Sequence, residues 1–238
     1  MELLAIAIAP GLAISLYIYK KDPHNKEPKK LLLLSFLFGA LCTIPAAIVQ
    51  LAFAKPLNTF LGEGIVHTLV FAYVLVALSE ELAKYFVLRY FAYKKHEFDE
   101  PFDGIVYSAM VGMGFATLEN IGYVFQHGIG TGIMRMFLSV PAHGTFAILM
   151  GYYVGLAKFH PEKKSHYLFL SILFPVFFHG TFDFFLFLSK NGLFILGALA
   201  SFYIAIRLSR KALRINREIT NQYNTSNYYP NHDDHKLL

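Results

Sequence analysis

Residues 65–88 read IVHTLVFAYVLVALSEELAKYFVL, an apolar stretch that carries two adjacent carboxylates, Glu80 and Glu81. A membrane-crossing helix needs about 20 predominantly apolar residues, so this stretch is long enough to span a bilayer. Each charged group at mid-membrane costs about 2.5–3.5 kcal/mol on insertion scales, and a sequence keeps such a group where a partner or a chemical task compensates for it. The stretch therefore predicts a membrane protein with polar chemistry inside the bilayer.

The composition of the whole chain agrees with this stretch. Of its 238 residues, 55% are hydrophobic and 16% are Asp, Glu, Lys or Arg, against roughly 25% charged residues in an average soluble domain. The mean hydropathy is +0.46. The apolar residues come in long runs and do not alternate with charge at the helical period. We expect an all-α polytopic membrane protein; a soluble helical core would need charged outer faces, which these runs lack.

Seven transmembrane helices in one bundle are predicted. They cover about residues 2–19, 31–54, 65–88, 104–125, 134–157, 167–188 and 192–209. Of the 21 Lys and Arg residues, 17 fall in alternate connections and the C-terminal part, three fall in the opposite connections, and Lys84 lies within a span. The positive-inside rule then puts the N-terminus outside and the C-terminus in the cytoplasm. Since topology explains the basic pI of about 9.1, no nucleic-acid partner is expected.

The short connections predict one transmembrane domain over residues 1–215. The tail, residues 216–238, is rich in Asn, Tyr and His and lacks apolar periodicity. Such a composition is typical of disorder, so we expect a disordered cytoplasmic extension.

Lys84 is the natural partner of the glutamate pair. It lies four residues after Glu80 and three after Glu81, and both spacings place side chains on one helix face. Adjacent helical residues point about 100° apart. One glutamate can therefore face a cavity while the other is held by Lys84. An ion pair that only fixes helix packing would explain one glutamate and leave the second unexplained.

Three further spans carry buried polar groups. Glu119 and Asn120 lie in the fourth span, His143 in the fifth, and His179 and Asp183, four residues apart, in the sixth. At 1.5 Å per residue, these positions and the glutamate pair fall in one slab around the midplane that leans towards the outer face. Four spans can therefore meet at one site.

These residue types suit activation of water. A desolvated glutamate can take a proton from water, and we assign this role to Glu80, with Glu81 supporting it through Lys84. The opposite assignment of the two glutamates stays open. Donors beside an attacked carbonyl can bind the oxyanion that forms. His143, His179 and Asn120 are the predicted donors, and Asp183 is predicted to orient His179.

Glutamate and histidine also bind divalent metals such as zinc. No His-Glu-x-x-His helix is present, and Lys84 beside the glutamates disfavours a cation, so a metal-independent peptidase is favoured and zinc is kept as an alternative. Buried Glu, His and Asp residues also serve proton- or ion-coupled transporters. Such transporters are often built from inverted repeats, and no repeat is visible in this sequence.

The ordered motifs resemble the PrsW family of bacterial intramembrane proteases. They are Glu80-Glu81-x-x-Lys84, Phe102-Asp103-Gly104-Ile105-Val106-Tyr107, Gly112-x-Gly114-Phe115-Ala116-x-x-Glu119-Asn120, His143 with Gly151 and Gly155, and His179-Gly180-x-x-Asp183. Each motif alone is weak, and the ordered set is specific. The family is similar in turn to the CAAX-prenyl-protease and bacteriocin-processing membrane proteins, so a prenyl-protein peptidase is a further alternative.

The resemblance implies a glutamate-dependent protease in the bacterial inner membrane, with the lipid bilayer and a membrane-anchored protein substrate as its partners. An anti-sigma factor or a similar regulator is the implied substrate, and stress response the implied context. Glu80 and Glu81 match the catalytic pair, and Glu119, His143 and His179 match the other motif positions.

Overall fold

The computed structural model describes residues 2–22, 26–188 and 192–228, and the regular elements among these residues are all helical. The helices are α1 (Glu2–Lys21), α2 (Lys29–Leu41), α3 (Thr43–Leu61), α4 (Ile65–Ala92), α5 (Asp103–Phe137), α6 (Ser139–Phe159), α7 (Lys164–Phe187) and α8 (Phe194–Tyr228). A 3₁₀ turn, Pro161–Lys163, precedes α7. The predicted all-α class is confirmed for this part of the chain.

Within the described part of the chain, five helical stretches are long and apolar enough to cross a membrane. They are Glu2–Lys21, Lys29–Leu61, Ile65–Ala92, Asp103–Phe159 and Pro161–Phe187. The fourth stretch contains both α5 and α6, and α8 is not in this set. The count of seven spans and the orientation of the termini therefore stay predictions.

The predicted second span, residues 31–54, is two helices. A turn at Cys42 separates α2 from α3. Pro45 lies in the first turn of α3, where its missing backbone N–H costs no helical hydrogen bond. A proline in the interior of one continuous helix would remove such a bond, so the break just before it has a local cause.

Helices α5 and α6 are antiparallel and in close contact. A Cβ atom on Gly104 would overlap the backbone of Gly151, and one on Gly112 would overlap Ala147. The contact on α6 thus moves to a lower residue number as the contact on α5 moves to a higher one, which is the pattern of antiparallel helices. The connection predicted between residues 125 and 134 is helical instead, with a kink at Gly128, whose φ is +80°. Glycine has no Cβ and adopts this conformation without strain.

The buried core is centred on α5. Every residue from Asp103 to Thr117 is buried, whereas α3 has a single buried residue, Ala46. The first part of α5, residues 103–117, is thus enclosed by protein, and α3 lies at the periphery beside the helix.

The predicted disorder of the tail is wrong for residues 216–228, which continue α8. Asn216 and Thr220 are buried, and their side chains bond to the backbone of Pro101 and Phe102 at 3.1 Å. These polar side chains form hydrogen bonds with backbone groups of the loop before α5. The helix is therefore held in place without apolar periodicity. Residues 229–238 lie outside the described residues.

Candidate active site

Helix α4 brings the charged triplet into the bundle. Its α-helical segment Ser79–Val87 lies between two π-helical segments, Phe71–Leu78 and Leu88–Ala92. Such π-helical turns are frequent at functional sites. The exposed fractions of Glu80, Glu81 and Lys84 are 3%, 0% and 3%. The three side chains therefore point into the protein and away from lipid, as the sequence predicts.

Glu81 is the glutamate that Lys84 holds. Its Oε1 accepts a hydrogen bond from Lys84 Nζ at 2.7 Å and lies 2.9 Å from Nδ1 of His179. Lys84 Nζ also lies 3.2 Å from Nδ1 of His143 and 4.1 Å from the centre of the Phe115 ring. The carboxylate of Glu81 is thus fixed between two helices.

Glu80 is the glutamate that faces open space. Its Oε1 accepts a hydrogen bond from Gln50 Nε2 at 3.1 Å. Its Oε2 lies 3.6 Å from Lys84 Nζ and has no hydrogen-bond partner among the described residues. Glu80 lines two cavities, an outer one of about 500 Å³ between α3 and α5 and an inner one of about 270 Å³ bounded by α6 and α7. The division into a held and an open glutamate matches the sequence-based hypothesis.

Glu119 joins α5 to α6. Its Oε2 accepts a hydrogen bond from Arg135 Nη2 at 2.6 Å and lies 3.0 Å from Nε2 of His143. Because Lys84 lies beside the other ring nitrogen of His143, this ring has a partner on each side. The imidazole of His143 is therefore fixed in orientation.

His179 is surrounded by carboxylates. Its Nδ1 faces Glu81, and its Nε2 lies 3.2 Å from Oδ2 of Asp183 and 3.9 Å from Oε2 of Glu80. The ring centre lies 5.0 Å from that of His143. Asp183 is thus placed to orient His179, as its position four residues later suggests.

The predicted role of Asn120 as an oxyanion donor does not fit its contacts. Its Nδ2 donates to the carbonyl oxygen of Ala7 at 3.0 Å, and its Oδ1 accepts from Arg135 Nε at 3.1 Å. The adjacent residue Glu119 points towards the site, so the helical rotation of about 100° turns Asn120 towards α1. Asn120 connects α1 and Arg135.

The predicted convergence of four spans is present. Glu80, His143 and His179 each offer one oxygen or nitrogen within 4.8 Å of the others. They come from α4, α6 and α7, and Glu119 adds α5. The helical period predicted which face each side chain occupies, and the packing of the bundle brings these faces together.

Two contributors escaped the sequence reasoning. Gln50 on α3 bonds Glu80, and Arg135, in the last turn of α5, bonds Glu119. A lone amide inside the apolar run Ala46–Ala54 was the available signal for Gln50. For Arg135, the signal was a single arginine near a buried glutamate of the preceding span.

Metal binding can be judged from the donors. Two histidines and a glutamate form a common catalytic zinc set, and the spacing of Glu80, His143 and His179 allows a shared ion. However, both nitrogens of each ring already face a partner, and Lys84 Nζ lies 3.6 Å from Oε2 of Glu80. In this arrangement a shared ion would have to displace one partner from each ring.

Comparison with known proteins places the chain among membrane proteases. Residues 27–209 match the family model described as PrsW family intramembrane metalloprotease. The chain is similar to Protease PrsW of Geobacillus kaustophilus, with 41% identity over 89% of this chain and 92% of the relative. It is also similar to Protease PrsW of Halalkalibacterium halodurans (34%, 91% and 99%) and of Bacillus subtilis (35%, 90% and 97%). No solved structure matches the chain.

Proposed function

Because the chain belongs to the PrsW family of intramembrane proteases, we propose that it hydrolyses a peptide bond of a membrane-anchored protein with water activated by Glu80. The observation that carries this assignment is the position of Glu80, which lines both cavities, whereas Glu81 lines neither of them. The Oε2 atom of each glutamate lacks a hydrogen-bond partner among the described residues, so the adjoining space is what distinguishes the two. A general base must reach the proton that it abstracts, and of the two glutamates Glu80 is the one beside the cavities.

The proposed reaction has two proton transfers. Glu80 takes a proton from water while the water oxygen attacks the carbonyl carbon of the peptide bond. Protonated Glu80 then gives this proton to the leaving nitrogen as the carbon–nitrogen bond breaks. This step returns Glu80 to its starting carboxylate state. Neither step requires a covalent bond between enzyme and substrate.

We assign His143 and His179 to stabilising the negative oxygen that forms on the attacked carbonyl. For this role an N–H group of each ring has to turn from its present carboxylate partner, Glu119 or Asp183, towards that oxygen. Donors to this oxygen lower the barrier as charge develops on it. The contacts of His143 with Lys84 and Glu119 hold one ring, and Glu81 and Asp183 hold the other. We assign Glu81, Lys84, Glu119 and Asp183 to positioning.

The proposal is metal-independent. The family description is of a metalloprotease, whereas in this chain each ring nitrogen of His143 and His179 contacts a protein group and Lys84 Nζ lies 3.6 Å from Oε2 of Glu80. The base is therefore assigned to the carboxylate itself.

The finer setting is also part of the proposal. The relatives are bacterial membrane proteases, and five apolar stretches could cross a membrane. We assign the chain to the bacterial inner membrane with seven spans, the N-terminus outside and the C-terminus in the cytoplasm. The proposed substrate is a membrane-anchored anti-sigma factor or a similar regulator.

Replacement of each glutamate tests the mechanism. Wild type, Glu80→Gln and Glu81→Gln are expressed in a bacterial host that lacks the chain, and membrane-protein fragments are quantified by mass spectrometry. We expect Glu80→Gln to lower the fragments at least about a thousandfold, since it removes the base, and Glu81→Gln to lower them less. Glu63→Gln, at an exposed loop position, is the matched control. Full cleavage by both Glu80→Gln and Glu81→Gln would show that the mechanism is wrong.

A further inference from the structure

We infer that the membrane-spanning segment of the substrate reaches Glu80 sideways from the lipid, between α3 and α5, and occupies the outer cavity as an extended chain. This inference rests on the proposed function and adds the route and the binding surface. Three observations carry it, namely the continuity of the two cavities, the loose attachment of α3 and the mixed polarity of the cavity walls.

The outer cavity leads directly to the catalytic groups. It shares Gln50, Phe71, Glu80, Glu119 and Tyr123 with the inner cavity, so the two spaces meet at these five residues. The inner cavity continues to His143, His179 and Asp183. A chain that fills the outer cavity therefore has its next peptide bond beside the carboxylate of Glu80.

Helix α3 is the least enclosed wall of this route. Only Ala46 is buried among its residues, and Leu51, which lines the outer cavity, is 80% exposed. Among the described residues, the hydrogen bond that joins α3 to α5 runs from Thr43 Oγ1 to the carbonyl oxygen of Phe115 at 3.4 Å, at the first turn of α3. Ala46 also packs with Phe115, and beyond these contacts the outer cavity lies between the two helices.

The side of α5 that lines the outer cavity leaves space at Gly122. Phe115, Leu118, Gly122 and Gln126 line the cavity at spacings of three and four residues, so they share one side of the helix. A Cβ atom added to Gly122 would meet no heavy atom within 4 Å. The missing side chain of Gly122 thus leaves room for a chain beside Glu119 and Glu80.

The wall chemistry selects a peptide over a lipid. An unwound segment in a membrane needs partners for its free N–H and C=O groups, and this is tolerated only where it lies against protein or water. The outer cavity offers Gln50, Tyr123, Gln126 and His127 among apolar residues such as Ala47. A neighbouring cavity of about 540 Å³ on the other side of α3 is almost entirely apolar and suits acyl chains.

Filling the cavity tests the route. Gly122→Phe places a ring in the open space, and Gly130→Phe is the matched control, because Gly130 is on the same helix, also has no atom within 4 Å of an added Cβ, and does not line the cavity. Both variants are compared with wild type and Glu80→Gln by quantifying membrane-protein fragments. We expect Gly122→Phe to lower the Glu80-dependent fragments at least about tenfold relative to Gly130→Phe.

A second variant protects the test against misfolding. Ala47→Phe fills the same cavity from the α3 side, and membrane levels and melting temperatures of all variants are measured in parallel. In addition, a photoreactive phenylalanine analogue in place of Tyr123, whose ring already lines the cavity, is expected in the Glu80→Gln chain to crosslink the proteins whose fragments depend on Glu80, and the same group at position 130 is not.

The outcomes separate the two proposals. Wild-type fragment levels in both Gly122→Phe and Ala47→Phe, with fragments lost in Glu80→Gln, would overturn the lateral route and leave the protease assignment intact. Fragments that do not depend on Glu80 in any variant would contradict the proposed function itself.

Discussion

The bundle contains two groups of buried carboxylates that are neutralised in opposite ways. The first surrounds Glu80 and Glu81 and meets cations and imidazoles beside two cavities. The second lies at the start of α5, where Tyr107 donates its hydroxyl to Glu27 and the backbone N–H of Glu100 donates to Asp103 Oδ2 at 2.7 Å.

The difference separates carboxylates that we propose for catalysis from carboxylates that only stabilise the fold. None of the residues of the second cluster, Glu27, Glu100, Asp103 and Tyr107, lines either cavity at Glu80. A buried carboxyl held by neutral donors fixes a loop against a helix, whereas a buried carboxylate with cations nearby and a cavity beside it keeps capacity for proton transfer. Burial alone therefore does not mark the active site; the partners and the adjoining space do.

The largest expected effect is at Lys84. Lys84→Met removes the cation that bonds Glu81 and leaves a fully buried carboxylate with His179 as its remaining partner. Breaking a buried pair on one side costs about 3–5 kcal/mol. We expect a marked fall in melting temperature, measured by thermal unfolding in detergent, together with loss of cleavage.

Lys94→Met is the control for this variant, because Lys94 is exposed and contacts only the face of the Tyr90 ring in the described contacts. A melting temperature for Lys84→Met equal to that of Lys94→Met would mean that the Glu80 cluster does not depend on charge compensation. The contrast between the two clusters would then fail.

The second cluster should respond in the opposite direction. Burial raises the pKa of Glu27 from 4.5 to about 7, with repulsion from Asp22 and Asp99 adding to the shift. Between these two values the folded chain holds a proton that the unfolded chain has released, so stability falls as pH rises from about 4.5 to about 7. Neutralising this group should therefore stabilise the protein at high pH.

We expect Glu27→Gln to raise the unfolding free energy by about 1–2 kcal/mol at pH 8, with the gain vanishing near pH 5. Melting temperatures across this pH range measure the effect. Glu162→Gln, at an exposed position, is the control and should leave the pH profile unchanged. A gain of equal size at pH 5 and pH 8 would refute the raised pKa.

Local periodicity predicted the parts of the site that lie on one helix. The spacings of Lys84 from Glu80 and Glu81, and of Asp183 from His179, fix contacts within a turn, and the structure shows each of them. Depth along each span also predicted that the polar groups could meet, because helical rise converts residue number into distance.

Contacts between distant segments were beyond this reasoning. Gln50 reaches Glu80 because α3 lies beside α4, and Glu27 reaches Tyr107 across 80 residues of sequence. The helical tail was missed for the same reason, since Asn216 and Thr220 are held by Pro101 and Phe102 and not by any local pattern. Tertiary packing decides these positions.

The smallest expected effect is that of removing metal ions. It tests whether the cationic side chains and the histidines alone balance the negative charge of the Glu80 cluster. Its four carboxylates, Glu80, Glu81, Glu119 and Asp183, face the two permanent cations Lys84 and Arg135, and this excess of negative charge would attract a divalent ion. The two histidines meet the excess instead, because each ring nitrogen lies within 3.2 Å of a charged neighbour.

We therefore expect treatment with 1,10-phenanthroline or EDTA to change the cleavage rate of the purified protein by less than about twofold, since water activation is assigned to Glu80 alone. Metal analysis of the same sample should find less than one equivalent of zinc, and a known zinc protease in the same buffer controls for effective chelation. Loss of activity that zinc restores would show that Lys84 or a ring nitrogen yields its place to an ion. The Glu80 cluster would then differ from the Glu27 cluster by a bound metal as well as by its cavity.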